Sequence, residues 1–152
     1  MTLEAILAYL HISAILALVV FIASEAALCR PQWMNAQIVE RLVTVDRIYG
    51  IAAAGVLLTG GLRIFLGMKG SGWYLHNWLL HAKIGLFIVV GLISIAQTLR
   101  FLRWRKLLRA NGTLPSEDEV KGTRKLVMLQ AHLIPLIPLA AVFLVRGFGA
   151  KG

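Results

Sequence analysis

Four stretches of this chain are apolar over about 20 residues each, the length of helix that crosses a hydrocarbon core roughly 30 Å thick. They run from about residue 3 to 28, 46 to 66, 77 to 104 and 126 to 148. Charge is confined to the short segments between and beside them. In lipid only helices and closed barrels satisfy their own backbone hydrogen bonds, and runs of this length without period-two alternation are helices. With 152 residues, 59% of them hydrophobic, a water-soluble core would leave much of that surface exposed. The expected fold is therefore all-α and membrane-integral. One domain, residues 1–152, forms an up-down-up-down bundle of four transmembrane helices.

The net charge of +9 does not point to nucleic acid, because its distribution is that of a membrane protein. Arg30, Arg41 and Arg47 lie in residues 29–47, around the connection between the first two spans. Arg100, Arg103, Arg105, Lys106, Arg109, Lys121, Arg124 and Lys125 lie around the connection between the last two. The other side has Arg63, Lys69, Arg146 and Lys151. An excess of cations marks the cytoplasmic side, so both termini are expected outside, in a bacterial cytoplasmic membrane. The N-terminus lacks the basic region of a cleavable signal, so the first span is expected to be retained. A lone cysteine, Cys29, excludes an internal disulfide framework and a CxxC site.

Several smaller features refine this picture. The stretch AQIVERLVTV reads as an amphipathic lead-in extending the second helix into the interface, and NGTLPSEDEV as a solvated linker. Gly50, Ala54, Gly55, Thr59, Gly60 and Gly61 would let a neighbour approach the second helix, as packing. Pro135 and Pro138 fall inside the fourth. Trp73, Tyr74 and Trp78 read as an interfacial aromatic belt, with His76 beside them. The Arg103-Trp104-Arg105-Lys106 run reads as a headgroup anchor.

Ionisable groups at membrane depth are costly and point to function. At 1.5 Å per residue, His11 lies about 12 Å below the outer boundary and His81 about 6 Å below it. Lys83 is just beneath His81, and Arg63 and Arg146 end their helices at the same face. Two imidazoles at similar depth on different helices suit a bis-histidine haem b, with cations outside for its propionates. Residues two apart on a helix point about 200° apart, however. His81 and Lys83 therefore cannot both face the bundle centre; Asn77, His81 and Gly85 form one stripe, His76, Lys83 and Phe87 another. His132, in the inner half, is expected to satisfy a carbonyl freed by the Pro135 kink. Glu25 is expected to pair with Arg41 or Arg47, and Asp46 to cap the second helix. No carboxylate dyad, phosphate loop or hydrolase triad is expected.

The segments DRIYGIAAAGVLLTGGLRIFLGMKG and HAKIGLFIVVGLISIAQTLRFLRWRK resemble an uncharacterised bacterial family of four-helix membrane proteins. The likeness runs from His11 to the IPLAAVFLVRG of the last helix. AYLHISAILALVVFIA and NWLLHAKIGLFIVV are more distantly similar to a wider group containing HemJ, a haem-binding protoporphyrinogen oxidase, and CopD, associated with copper uptake. HemJ's first-helix histidine matches His11. Its Trp-Leu-His-x-Lys run matches Trp78, His81 and Lys83 with one extra leucine, and where it continues into Tyr-His this chain has Gly91-Leu92-Ile93-Ser94. That resemblance implies a haem pocket.

The expectation is a haem b-binding membrane redox protein in which His11 is an axial metal ligand and Lys83 and Arg63 hold the propionates. His81 is the second metal ligand in that reading, with Lys83 and His132 left open as alternatives. It would pass electrons between a quinone and an outer redox partner, or oxidise a porphyrinogen, alone or as a homo-oligomer. Copper handling and a cofactor-free accessory subunit are the competing readings. Met68, Met128 and Cys29 are few and scattered for copper(I), which favours soft ligands.

Overall fold

The computed structural model describes residues 2–66, 72, 76 and 78–146. The expectations placed on Met68, Lys69, Gly70, Trp73, Tyr74, Asn77 and Lys151 lie outside the described residues. Within them the chain forms α1 (Thr2–Leu28), a 3-10 turn (Pro31–Trp33), α2 (Ala36–Leu66), α3 (Trp78–Asn111), α4 (Glu117–Leu133) and α5 (Leu136–Val145). Four stretches are long and apolar enough to cross a membrane: α1, α2, α3, and α4 continued into α5. Their outward residues, among them Leu16, Val20, Leu58, Leu92 and Leu99, are large, apolar and exposed. Exposed side chains of that kind over whole helix lengths fit a hydrocarbon surround.

Local chemistry sets the ends. Asn35 caps α2, its side-chain oxygen accepting from the Ile38 N–H at 2.9 Å. The amphipathic lead-in is therefore the first turns of α2, and Asp46 lies ten residues inside the helix rather than at its cap. Gly112 closes α3 in the left-handed region (φ 67°), its N–H donating to the Leu108 carbonyl at 2.8 Å. Ser116 then caps α4 by accepting from the Glu119 N–H at 3.2 Å, and Glu117, Asp118 and Glu119 fill the first turn. The stretch expected to be linker thus ends in a helix start, nine residues before the expected boundary.

The fourth span is two helices. Pro135 and Pro138 have no N–H to donate, so the carbonyls of Ala131 and Ile134 lose their usual partners. The Ile137 N–H takes up the Ile134 carbonyl at 3.1 Å. His132 does not serve the break. Its Nδ1 lies 2.6 Å from the Met128 carbonyl, one turn back, and its side chain is exposed.

Packing runs in a ring: α1 against α2, α2 against α3, α3 against α4 and α5, and α4 back against α1. This is the expected up-down-up-down order, with α1 and α3 on one diagonal. Four alternating crossings leave Thr2 and Arg146 at one end of the bundle and the 29–35 and 112–116 connections at the other. Lipid removes the hydrophobic drive for helix association, so close packing and polar contacts must hold the ring. The core is densest near the connections, where Cys29, Val39, Leu42, Phe101, Trp104, Val120 and Val127 are fully buried. Trp104 is therefore no headgroup anchor; it packs edge-on against Phe101, ring centroids 5.5 Å apart.

Candidate functional site

On α1, Leu7, His11, Leu18, Ile22 and Glu25 are buried at spacings of three, four and seven, so they form one stripe facing the bundle. That stripe carries a polar group at each end. His11 marks one functional region and Glu25 the other, with apolar packing between.

At the Thr2 end a cavity of about 300 Å³ opens between the helices. Its floor is the His11 imidazole, 4% exposed, and its rim carries Arg63 from α2, Lys83 from α3 and Arg146 after α5. Its walls are apolar, Ile15, Leu80 and Val142 among them. Among the described residues, no carboxylate forms an ion pair with any of the three cations. The imidazole is held in a defined orientation. Its Nδ1 lies 2.8 Å from the Thr59 hydroxyl, whose own proton goes to the Gly55 carbonyl at 2.7 Å. With its single proton on that carbonyl, Thr59 accepts here and His11 Nδ1 donates. The lone pair then resides on Nε2. Gly60 makes the space, since a Cβ there would sit 3.2 Å from His11 Cε1.

Lys83 and His81 divide as their angular separation requires. Lys83 lines the cavity, whereas His81 is exposed and is not part of the lining. The bundle therefore brings His11, Lys83 and Arg63 together and leaves His81 out. His11 and His81 of one chain do not line a common cavity. Sequence reasoning treated Thr59 and Gly60 as packing residues; their service to His11 needed the α1–α2 register, which composition does not reveal. Among the described residues, no three His, Cys, Asp or Glu side chains gather as a metal-holding group.

The second region lies toward the connections. Glu25, fully buried, meets neither Arg41 nor Arg47; its carboxyl interacts with that of Asp46, also buried. A carboxyl pair is thus present where none was expected. Thr98 donates to Asp46 Oδ2 at 2.6 Å. One turn deeper, the Gln130 amide bridges the Tyr49 hydroxyl and that of Ser94, the latter at 2.7 Å. Among the described residues, the buried side-chain polar atoms left unpaired belong to Glu25, Asp46, Gln97, Trp104 and Gln130. Every one of them lies in this half of the molecule. The signal available in the sequence was the presence of Glu25, Asp46, Gln97 and Gln130 inside apolar helices.

These features define an integral membrane four-helix bundle with a basic, imidazole-bearing cavity near one face and a buried acidic layer near the other. The chain belongs to the DUF2214 family of predicted membrane proteins, whose model matches residues 3–149. No curated protein and no solved structure matches it. The membership carries the family likeness read from the sequence; the more distant one to HemJ and CopD is not part of it.

Proposed function

We propose that this chain is a haem b-binding redox protein of the bacterial cytoplasmic membrane, with His11 as an axial ligand in the cavity between Arg63, Lys83 and Arg146. The observation that carries the reading is the His11 ring. Thr59 occupies its Nδ1–H, which leaves Nε2 as a lone-pair donor in an apolar-walled space. Arg63 and Arg146, in no ion pair among the described residues, suit a ligand that is apolar in its body and dianionic at one edge. Lys83 is this chain's own candidate for the second axial position, since His81 and His132 are both exposed. Haem b, when bound, supplies one-electron chemistry. The chain's contribution is to orient one imidazole, neutralise two carboxylates and exclude water. A lipid-soluble quinol is the electron donor this location favours, with an acceptor on the outer side. The basic connections orient the cavity toward the outside.

The test is spectroscopic. Protein purified in detergent from haem-replete cells should be coloured, with a Soret band and a sharp reduced α-band. His11→Ala should abolish these, and Lys83→Met should shift them. His81→Ala and His132→Ala should leave them unchanged. A colourless wild-type preparation sinks the reading. If that preparation still binds free-base porphyrin through Arg63 and Lys83, the cavity takes an anionic amphiphile without iron.

A further inference from the structure

Beside the carboxyl pair, a second cavity of about 340 Å³ lies between α2 and α3. Its inner wall is polar: Asp46, Tyr49, Ser94 and Thr98 contribute a carboxyl and three hydroxyls. The remainder is apolar, with the Phe87 ring on the α3 wall and Gly91, one turn along the same face, leaving room beside it. Exposed Leu57 and Ile95 form the rim, so the mouth faces lipid rather than either aqueous side. Asp46 is 6% exposed, and its Oδ1 has no partner although Oδ2 accepts from Thr98. A buried oxygen of this kind calls for a hydrogen-bond donor. Behind it stands Glu25, its carboxyl against that of Asp46. Asp46 offers a ligand an acceptor, and the Tyr49 and Ser94 hydroxyls on the same wall can donate or accept.

We propose that the α2–α3 cavity binds the head group of a lipid-soluble quinol, with a ring hydroxyl donating to Asp46 and the isoprenoid tail leaving between Leu57 and Ile95 into lipid. The size is that of a small-ligand pocket, mostly apolar with a few convergent polar groups. The opening admits only a ligand that arrives through the bilayer, and Phe87 gives an aromatic ring a face to pack on. Tyr49 and Ser94 are positioned on the same wall for the ring oxygens. The choice of a quinol rests on the redox reading above. The cavity and its polar wall do not, and Asp46 lies thirteen residues of α2, about 20 Å of helix, from the Thr59 that holds His11.

The experiment separates the two. Full-length His11→Ala protein, which has no haem in either case, is titrated in detergent with a short-chain benzoquinol. An azido-quinone is then photo-crosslinked and mapped. Saturable binding should survive His11→Ala, and the crosslinks should fall on α2 and α3 flanking the cavity. Gly91→Leu fills the cavity from a position where an added Cβ meets nothing within 4 Å, so it should weaken binding about tenfold or more. Asp46→Asn and Tyr49→Phe should each weaken it severalfold. Crosslinks mapping to the His11 cavity, no saturable binding, or equal competition by phospholipid would each overturn the proposal. Loss of quinol binding leaves the haem spectrum of the wild type to be judged separately.

Discussion

The two polar regions of this bundle are opposites in sign and in what their charges lack. Near the Thr2 end, Arg63, Lys83 and Arg146 surround an open cavity with an imidazole at its base, and no carboxylate pairs with them among the described residues. Toward the connections, Glu25 and Asp46 sit inside the packed bundle with no cation against them. Thirteen residues of α2, about 20 Å of helix, separate Asp46 from Thr59. Buried Leu18, Val56 and Val90 lie between, the first and last of them also lining the lipid-facing cavity. Ion pairing would have neutralised both regions if they had met. Keeping them apart leaves one set of cations available to an anion and one pair of carboxyls available to a proton donor.

The strongest way to break this contrast is to deny His11 its space. Gly60→Val places branched carbon where even a Cβ lies 3.2 Å from the ring. Overpacking of this kind costs about 1–3 kcal/mol, and roughly 1.4 kcal/mol is tenfold in a binding constant. Haem affinity should therefore fall between about fivefold and 150-fold, while quinol binding at the other cavity is unmoved. Gly61→Ala, whose Cβ meets nothing within 4 Å, is the control and should change neither. Equal loss at both sites would mean that the two regions are one.

The next effect is on stability and belongs to the acidic half. Arg124 reaches from α4 across the end of α1, donating to the Ala26 carbonyl at 2.7 Å and the Cys29 carbonyl at 3.2 Å. These are among the last carbonyls of a helix, which have no partners of their own. Arg124→Ala should destabilise the bundle by about 1.5–3 kcal/mol, the range for hydrogen bonds to charged groups, read as a lower thermal midpoint in detergent. The haem spectrum of the folded fraction should be unaltered. A smaller effect belongs to the open half. Thr59→Val keeps the shape but removes the acceptor for His11 Nδ1, and loss of such an orienting partner weakens metal binding about 10- to 100-fold. The low end is expected, because Gly60 and the packed α1–α2 face still confine the ring.

How far these regions could be read from the sequence follows the same division. Hydropathy alone located all four spans, and depth alone brought His11, Lys83 and Arg63 to one level. Helical geometry required His81 and Lys83 to diverge, yet it could not say which turned inward, because that depends on how α3 is rotated against its neighbours. The carboxyl pair was invisible for a related reason. Glu25 was assigned to a nearby arginine on sequence distance, whereas the antiparallel register of α1 and α2 decides. That one register sets His11 beside Thr59, Ala14 beside Gly55 and Glu25 beside Asp46. Likewise α2 on α3 sets Asp46 beside Thr98, and α3 on α4 sets Ser94 beside Gln130 and Arg100 beside Thr123. A single confirmed contact per helix pair would have disclosed the rest. The break at Pro135 was legible, but the partner of His132 was not, since an exposed imidazole folds back on its own helix.

The smallest expected effect tests whether charge at the connection end behaves as charge in water. Arg109 grips Glu40 with two hydrogen bonds, Nε to Oε1 at 2.9 Å and Nη2 to Oε2 at 3.0 Å, tying the end of α3 to the first turns of α2. The geometry is the best of any ion pair described, and yet the side chains are 63% and 40% exposed. Water and salt screen such a pair, and its ordering costs entropy, so exposed pairs contribute about 0.2–1 kcal/mol. Arg109→Ala should lower the thermal midpoint only slightly, by less than Arg124→Ala, and high salt should erase even that difference. The acceptors explain the ranking: removing Arg124 strands helix-end carbonyls in a packed interior, whereas removing Arg109 returns Glu40 to solvent. If the two substitutions cost the same, the outer turns of α2 and α3 are withdrawn from water. The buried layer would then extend to the end of the bundle.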